Sequence, residues 1–329
     1  MSNFVTRVIA AGGSLHPLVV PIQFGTKGTA LFNPSVYKDG DDILCNVRHC
    51  QYTLFHAEKR RFEHQWGPLN YLCPEDDLTL TTVNYLFKVN SETLETESIH
   101  KVDTSKLDVK PIWEFVGLED ARVFRWDGKL YYSGVRRDTT PNGVGRMELS
   151  EIVIEDENTA KEISRWRIPA PGDDKTYCEK NWMPIIDMPW HYVKWSNPTE
   201  VVKVNPIKKT CETVYMGKYV PMWTDYRGGS QVIPFGDYHI ALTHALTRFD
   251  KSPAGRKDAQ YRHAMIVWDK DWNVVRYGKH FSFMDAEIEF CCGMAEHGDD
   301  FLISFGFQDN SAYILRTPRS VIEELVHGE

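Results

Sequence analysis

Short runs of β-branched and aromatic residues alternate with Gly-, Asp- and Asn-rich stretches along most of the chain. This is the pattern of half-buried strands joined by tight turns. Residues 30–37 lead into Asp39-Gly40-Asp41-Asp42 and then 43–47, and residues 121–126 lead into Asp127-Gly128 and then 129–135. The same layout recurs at 230–234, Phe235-Gly236-Asp237 and 238–244, and at 291–296, His297-Gly298-Asp299-Asp300 and 301–305. A fifth unit, 181–187 followed by 190–195, turns through a proline. Each reads as a hairpin, because Asp and Gly tolerate the positive φ that a tight turn between twisted strands requires. Residues 262–268 and 273–277 form a further hairpin-like partner. Helical periodicity is scarce; it predicts one helix over 319–327, with Ser320 as its cap and Val321, Leu325 and Val326 on its apolar face.

Repeated antiparallel hairpins are how a propeller builds four-stranded blades around a central channel, so five hairpins predict five blades. The expected fold is therefore all-β: a five-bladed β-propeller with a short C-terminal helix, forming one domain over residues 1–329. A β-sandwich is the structural competitor. Residues 139–145 and 249–259 are dense in turn formers and read as loops that border a pocket or lie on the open surface.

Composition narrows the function classes. The 329 residues are 42% hydrophobic and 12% aromatic with ten Trp, rings that fill cores between sheets or stack on sugars. A formal net charge of −8 argues against a nucleic-acid binder. No apolar run reaches membrane-spanning length, and Met1 to Thr6 lacks the pattern of a signal peptide. Seven cysteines without C-x-x-C spacing, and histidines without metal-ligand spacing, predict a reduced, cytoplasmic protein with no metal site.

The chemistry-bearing residues gather at strand ends. Gly117-Leu118-Glu119-Asp120-Ala121-Arg122 precedes a strand with two adjacent carboxylates and an arginine. Partial burial would raise one carboxyl into general-acid range while the arginine keeps its neighbour ionised. Glu179-Lys180-Asn181 precedes another strand, and Arg227-Gly228-Gly229-Ser230 a third, with an arginine fitted to grip phosphate. Asn33-Pro34 with Arg48, Arg136 at the end of its strand, Thr243-His244, and Phe305-Gly306-Phe307-Gln308-Asp309 complete the set. Taken singly, each also reads as a turn or a surface ion pair.

In order, Asn33-Pro34…Arg48, Gly117 to Arg122 with Asp127 to Tyr132, Glu179-Lys180-Asn181 and Phe305-Gly306…Asp309 resemble glycoside hydrolase family 130. The resemblance runs from about Asn33 to Asp309, and Glu-Asp-x-Arg is its most specific element. That family comprises five-bladed propellers, mostly β-mannoside phosphorylases, with some hydrolases and related mannosyltransferases. The resemblance implies inverting transfer of a mannose-like unit between a glycan and phosphate, with Asp120 as general acid. It implies sugar contacts from Asn33, Glu119, Arg122, Asn181 and Asp309, and a phosphate held by cations chosen from Arg48, Arg136, Lys180, Arg227 and His244. Several cations suit an oxyanion because a guanidinium matches its oxygens in pairs. The expected partner is a carbohydrate, with inorganic phosphate or a sugar nucleotide as co-substrate and no resident cofactor. A sugar-nucleotide-dependent transferase and a non-catalytic carbohydrate-binding propeller are the alternatives; a hydrolase would need a second carboxylate, Asp225 or Asp309. Ala121 stands where the family usually has proline, and Phe307-Gln308 is bulkier than its usual Ala-Ala, which reshapes the sugar pocket.

Overall fold

The computed structural model describes residues 3–24, 26, 30–53, 60–62, 69–71, 80–172, 178–221, 225–251 and 257–328. Among them the strands form five antiparallel blades around one axis, a five-bladed β-propeller. The five predicted hairpins, four with tight Asp/Gly turns and one with a proline turn, prove to be the inner pairs of the blades. The first blade runs Leu31–Asp39, Asp42–Cys50, Leu80–Val89, Thr96–Asp103, and the second Glu119–Trp126, Lys129–Arg136, Arg146–Ile154, Thr159–Arg167. The third is Met183–Pro184, His191–Ser196, Thr199–Asn205, Thr210–Met216. In the fourth the inner edge is split into Tyr226–Gly228 and Ile233–Phe235, followed by Tyr238–Lys251, Lys257–Trp268 and Val274–Tyr277.

The fifth blade takes Glu289–His297, Asp300–Phe307 and Ser311–Pro318 from late in the chain and its outer strand, Ser14–Leu18, from early in it. Ser14 pairs with Arg316 and Leu18 with Ala312, which closes the ring.

Inner strands all start at one end of the channel, which we call the mouth. There the first, second and fifth blades each carry an extra residue in the inner strand, between Phe32 and Ser35, Glu119 and Arg122, and Cys291 and Gly293. Such bulges turn a side chain out of the pleat and re-aim it. Asn33 and Asp120 occupy the equivalent place in the first two, with φ of 47° and 51°, and Asn181 at the third blade has φ of 61°. Asn and Asp are the non-glycine residues that best tolerate this left-handed region.

Below the mouth the channel is filled by buried polar side chains that cross between blades. Ser35 Oγ donates to the Ala121 carbonyl at 2.8 Å, and Ser304 Oγ to that of Pro34 at 2.7 Å. Gln231, fully buried, donates to the Val36 and Val123 carbonyls at 3.0 and 2.8 Å and accepts from the Met294 amide at 3.1 Å. One amide thus ties the fourth blade to the first, second and fifth. A polar axis of this kind is favourable only because its members are paired.

The C-terminal helix spans Arg319–His327 as predicted, but Pro318 precedes it and no side chain caps it. Its buried residues are Val321, Ile322 and Val326; Leu325 is only half-buried. A second helix, Phe4–Ala10, was not predicted. Asn3 caps it through Oδ1, accepting from the Thr6 amide at 2.9 Å, and Arg7 pairs with Glu324. Phe4, Val5 and Val8 share one apolar cluster with Val321, Ile322 and residues of the last two blades. The expected loop at 249–259 is largely strand: the hairpin runs on to Lys251 and resumes at Lys257, while residues 252–256 lie outside the described residues. The 139–145 loop is present as a short turn, Pro141–Gly143. No helix among the described residues is long and apolar enough to cross a membrane.

Candidate functional site

The second blade delivers Glu119 and Asp120 to the channel mouth, and its neighbours fix them there. Asp120 Oδ1 accepts from Asn33 Nδ2 at 2.8 Å and from Arg48 Nη1 at 2.8 Å. Arg48 is itself held by Thr82 Oγ1 at 3.2 Å and Tyr52 Oη at 3.3 Å, and its guanidinium lies 4.9 Å from the centre of the Phe32 ring. Glu119 stands between two arginines, with Oε2 3.6 Å from Arg48 Nη2 and Oε1 3.4 Å from Arg137 Nε.

The left-handed backbone at Asp120 is held by its surroundings. Asn84 donates to the Leu118 carbonyl at 2.9 Å, Arg122 Nη1 to that of Asp120 at 2.7 Å, and Ser35 and Asn46 to that of Ala121 at 2.8 and 3.3 Å. An unfavourable φ persists where neighbours over-determine it in this way, and such sites are where function concentrates.

Asp120 reverses one expectation from the sequence. Burial alone would raise its carboxyl, but the Arg48 charge, the Asn33 hydrogen bond and the Arg122 charge outweigh burial and hold it below the ordinary carboxylate value. The carboxylate is therefore held ionised, and with the side chain 18% exposed it is still reachable from the mouth.

The third and fourth blades supply cations. Glu179 is buried and turned outward, accepting from Trp182 Nε1 at 2.9 Å and lying 3.6 Å from Lys194 Nζ. The next side chain, Lys180, is exposed at the mouth. Its position within the channel, with protein crowded around the ammonium, lowers its pKa, as do the charges of Arg137 and Arg227, while Cys178 and Asp120 oppose them. Arg227 is half-buried and within electrostatic reach of Lys180, His244 and Tyr261. Close approach of the two blades depends on Gly228, where a Cβ would lie 1.8 Å from the Asn181 carbonyl oxygen.

His244 joins this group as a neutral ring. Burial, His263, Arg227 and Lys180 all depress its pKa far below the usual imidazole value, and Nδ1 lies 2.9 Å from the Gly228 carbonyl. Nδ1 of that neutral ring must carry the proton it donates, which leaves Nε2 as an acceptor. His244 therefore contributes no positive charge.

Arg136 does not reach the mouth. It is 3% exposed, with Nη1 3.0 Å from Asp138 Oδ2 and Nε 2.8 Å from Glu148 Oε2. Successive residues face opposite sides of a strand, and it is Arg137 that faces Glu119, Cys178 and Lys180. Arg122 is likewise buried beneath the site, bonded to carbonyls, and Asn181 turns Oδ1 toward it at 3.5 Å. Asp309, half-buried with φ of 49°, sits at the turn of the fifth blade and shares an electrostatic neighbour with Asp120, the phenol of Tyr261. Burial and the two aspartates push that phenol up to about 12 against the pull of Arg227, so it stays a hydrogen-bond donor. Asp225 is exposed.

Asp120, Glu119, Asn33 and Arg48 thus form one cluster, a candidate acid–base half of a site, and Lys180, Arg227 and Arg137 a candidate cationic half, at one channel mouth. Sequence reasoning missed Arg137 and Tyr261. Adjacent arginines at a strand end signal that one faces inward without saying which, and nothing local marks Tyr261 among the chain's many rings.

No protein-family model matches the chain, and no curated protein matches it in sequence. Solved structures do match in fold. The β-1,2-mannobiose phosphorylase of Listeria innocua, in complex with β-1,2-mannobiose, is 13% identical with a TM-score of 0.60, over 91% of this chain and 92% of that one. A glycosyl hydrolase from Bacteroides ovatus is 11% identical with a TM-score of 0.55, over 92% and 89%. A structure from work on glycoside hydrolases within the glycoside hydrolase family 130 mannoside phosphorylases, which target β-1,2 mannosidic linkages in Candida mannan, is 11% identical with a TM-score of 0.54, over 89% and 85%. The chain has the fold of these structures.

Proposed function

We propose that this protein is a carbohydrate-active enzyme that moves a mannose-like unit between a glycan and phosphate. The observation that carries the reading is the gathering of Lys180, Arg227 and Arg137 close to the Glu119-Asp120 pair. A phosphate seated on the cations would present an oxygen to the anomeric carbon on one side of the sugar. Asp120 would exchange a proton with the bridging oxygen on the other, the geometry of inversion. Because Arg48 and Asn33 keep Asp120 ionised, its resting form is a base, ready to take the proton of an acceptor hydroxyl that attacks a glycosyl phosphate. In the phosphorolytic direction it must first acquire the proton it delivers. In this reading Asp309 and Tyr261 would hold sugar hydroxyls.

The test is to incubate the protein with phosphate and β-mannosides, with mannose 1-phosphate and acceptor sugars, and with GDP-mannose and the same acceptors. Release of mannose 1-phosphate in the first, or a new disaccharide in the second, supports the reading, and Asp120→Asn should abolish either. Product only from GDP-mannose moves the protein to sugar-nucleotide transfer. Sugar binding without product in any arm makes it a binding propeller and overturns the enzymatic reading.

A further inference from the structure

Arg122 is 1% exposed and has no ion-pair partner among the described residues. Its guanidinium is satisfied almost wholly by backbone: Nη1 donates to the Asp120 carbonyl at 2.7 Å, while Nε and Nη2 both donate to the Gly229 carbonyl at 3.0 and 2.8 Å. Asn181 Oδ1 lies 3.5 Å from both terminal nitrogens, and the Phe290 ring centre 5.7 Å from the guanidinium carbon. One side chain therefore touches the second, third, fourth and fifth blades. A fully buried cation without a carboxylate at contact distance is costly to maintain, so its retention calls for a return beyond packing.

The three backbone bonds show where that return lies. At one end is the carbonyl of Asp120 itself, the left-handed residue of the acid–base half. At the other is Gly229, two residues along the same inner edge from Arg227 of the cationic half. Asn181, beside Lys180, closes the triangle. We propose that Arg122 touches no substrate and is a positioning residue, a strut that sets the separation of Asp120 from the Arg227 edge.

A planar fork can span two carbonyls on different blades, and a lysine ammonium cannot reproduce that span. Its charge has a second effect, since Arg122 is one of the three residues that keep Asp120 ionised. The inference rests on the proposed glycosyl transfer for its kinetic readout only.

The experiment uses Arg122→Lys and Arg122→Met in the full chain, with two measurements. The Asp120 carboxyl is titrated by carbon NMR in aspartate-labelled protein, assigned by difference from Asp120→Asn, and kcat and KM are measured for glycosyl transfer. Arg122→Met removes the charge, so the Asp120 midpoint should move upward. Arg122→Lys keeps the charge but not the span, so the midpoint should stay near wild type while kcat falls by roughly 100-fold, the scale of a misplaced catalytic group. An unmoved midpoint in Arg122→Met, or wild-type kcat in Arg122→Lys, overturns the proposal. If Arg122→Met does not fold, Asn181→Asp places a carboxylate beside the guanidinium at no change in size, and an unmoved midpoint there is equally fatal. Should the wild-type protein transfer no glycosyl unit, the proposed function falls, and the NMR titration alone decides the role of Arg122.

Discussion

Asn33 and Asp120 occupy the same left-handed bulge position in neighbouring blades, and the first donates its amide hydrogen to the carboxylate of the second at 2.8 Å. The two blades therefore present one backbone device with two side chains, an amide and an acid, that differ only in what they can do with a proton. The pairing has a consequence for pH. A carboxylate whose folded pKa is depressed contributes stability that is fully present above its unfolded value and is lost as pH falls through the folded one. Thermal unfolding of the wild-type protein should therefore lose stability on acidification more steeply than Asp120→Asn. Asn33→Ala, which removes one of the groups holding the carboxyl down, should move the acid limb of activity upward. Identical acid limbs in wild type and Asn33→Ala would contradict the assignment.

Lys180 gives a test at the opposite limb. A lysine can hold an anion only when protonated, and the pKa of Lys180 lies below the ordinary lysine value of 10.5. Affinity for inorganic phosphate, measured by calorimetry across alkaline pH, should decline before an ordinary lysine would titrate. Lys180→Arg should remove that decline, because a guanidinium does not titrate in the range. A decline that persists unchanged in Lys180→Arg would assign it to another group.

Arg136 and Arg137 should behave as opposites. Arg136→Ala leaves the buried Asp138 and Glu148 carboxylates short of a partner and should cost about 3–5 kcal/mol of stability in denaturant unfolding. Arg137→Ala, which leaves Glu119 with Arg48 as its partner, should cost less stability and instead weaken phosphate binding by about tenfold or more, the scale of one charge-assisted contact. If the two substitutions exchanged effects, the orientation of the strand end would be wrong.

Gly228 gives a steric test. A methyl group added there would meet the Asn181 carbonyl oxygen at 1.8 Å, and backbone cannot swing aside as a side chain can. Gly228→Ala should destabilise by about 3 kcal/mol, at the upper end for overpacking, and should impair the site by parting Asn181 from Arg227. A thermal melt at the wild-type temperature together with unchanged activity would sink this account.

The blades were readable in the sequence because their causes are local. Strand alternation and Asp-Gly turns such as Asp127-Gly128 are decided within a few residues, so all five inner hairpins fell where the pattern put them. The residues of the mouth were readable for a related reason: Asp120, Lys180, Arg227 and Asn33 lie at the starts of inner strands, which the propeller gathers around its axis. What could not be read depends on distant neighbours. The choice between Arg136 and Arg137 is a matter of strand parity, which partners on other strands decide. The Phe4–Ala10 helix is too short to be stable alone and exists through contacts with the last blades and the C-terminal helix. One carboxyl of the Glu119-Asp120 pair was expected to be raised by burial, yet Asp120 is lowered by Arg48, Asn33 and Arg122; His244 was a candidate cation and is kept neutral by burial and the charges around it. In each case charge state is a property of the assembled mouth.

The outer strand of the fifth blade, Ser14–Leu18, is made early, but its partner Ser311–Pro318 is made late. During synthesis the first strand must therefore wait, unpaired, while four blades are translated, and the circle can be joined only once the fifth has emerged. That pairing sets the first and fifth blades side by side and, with them, brings Asn33 and Asp309 to the same rim. A ribosome stalled before residue 311 would hold four blades and no finished pocket.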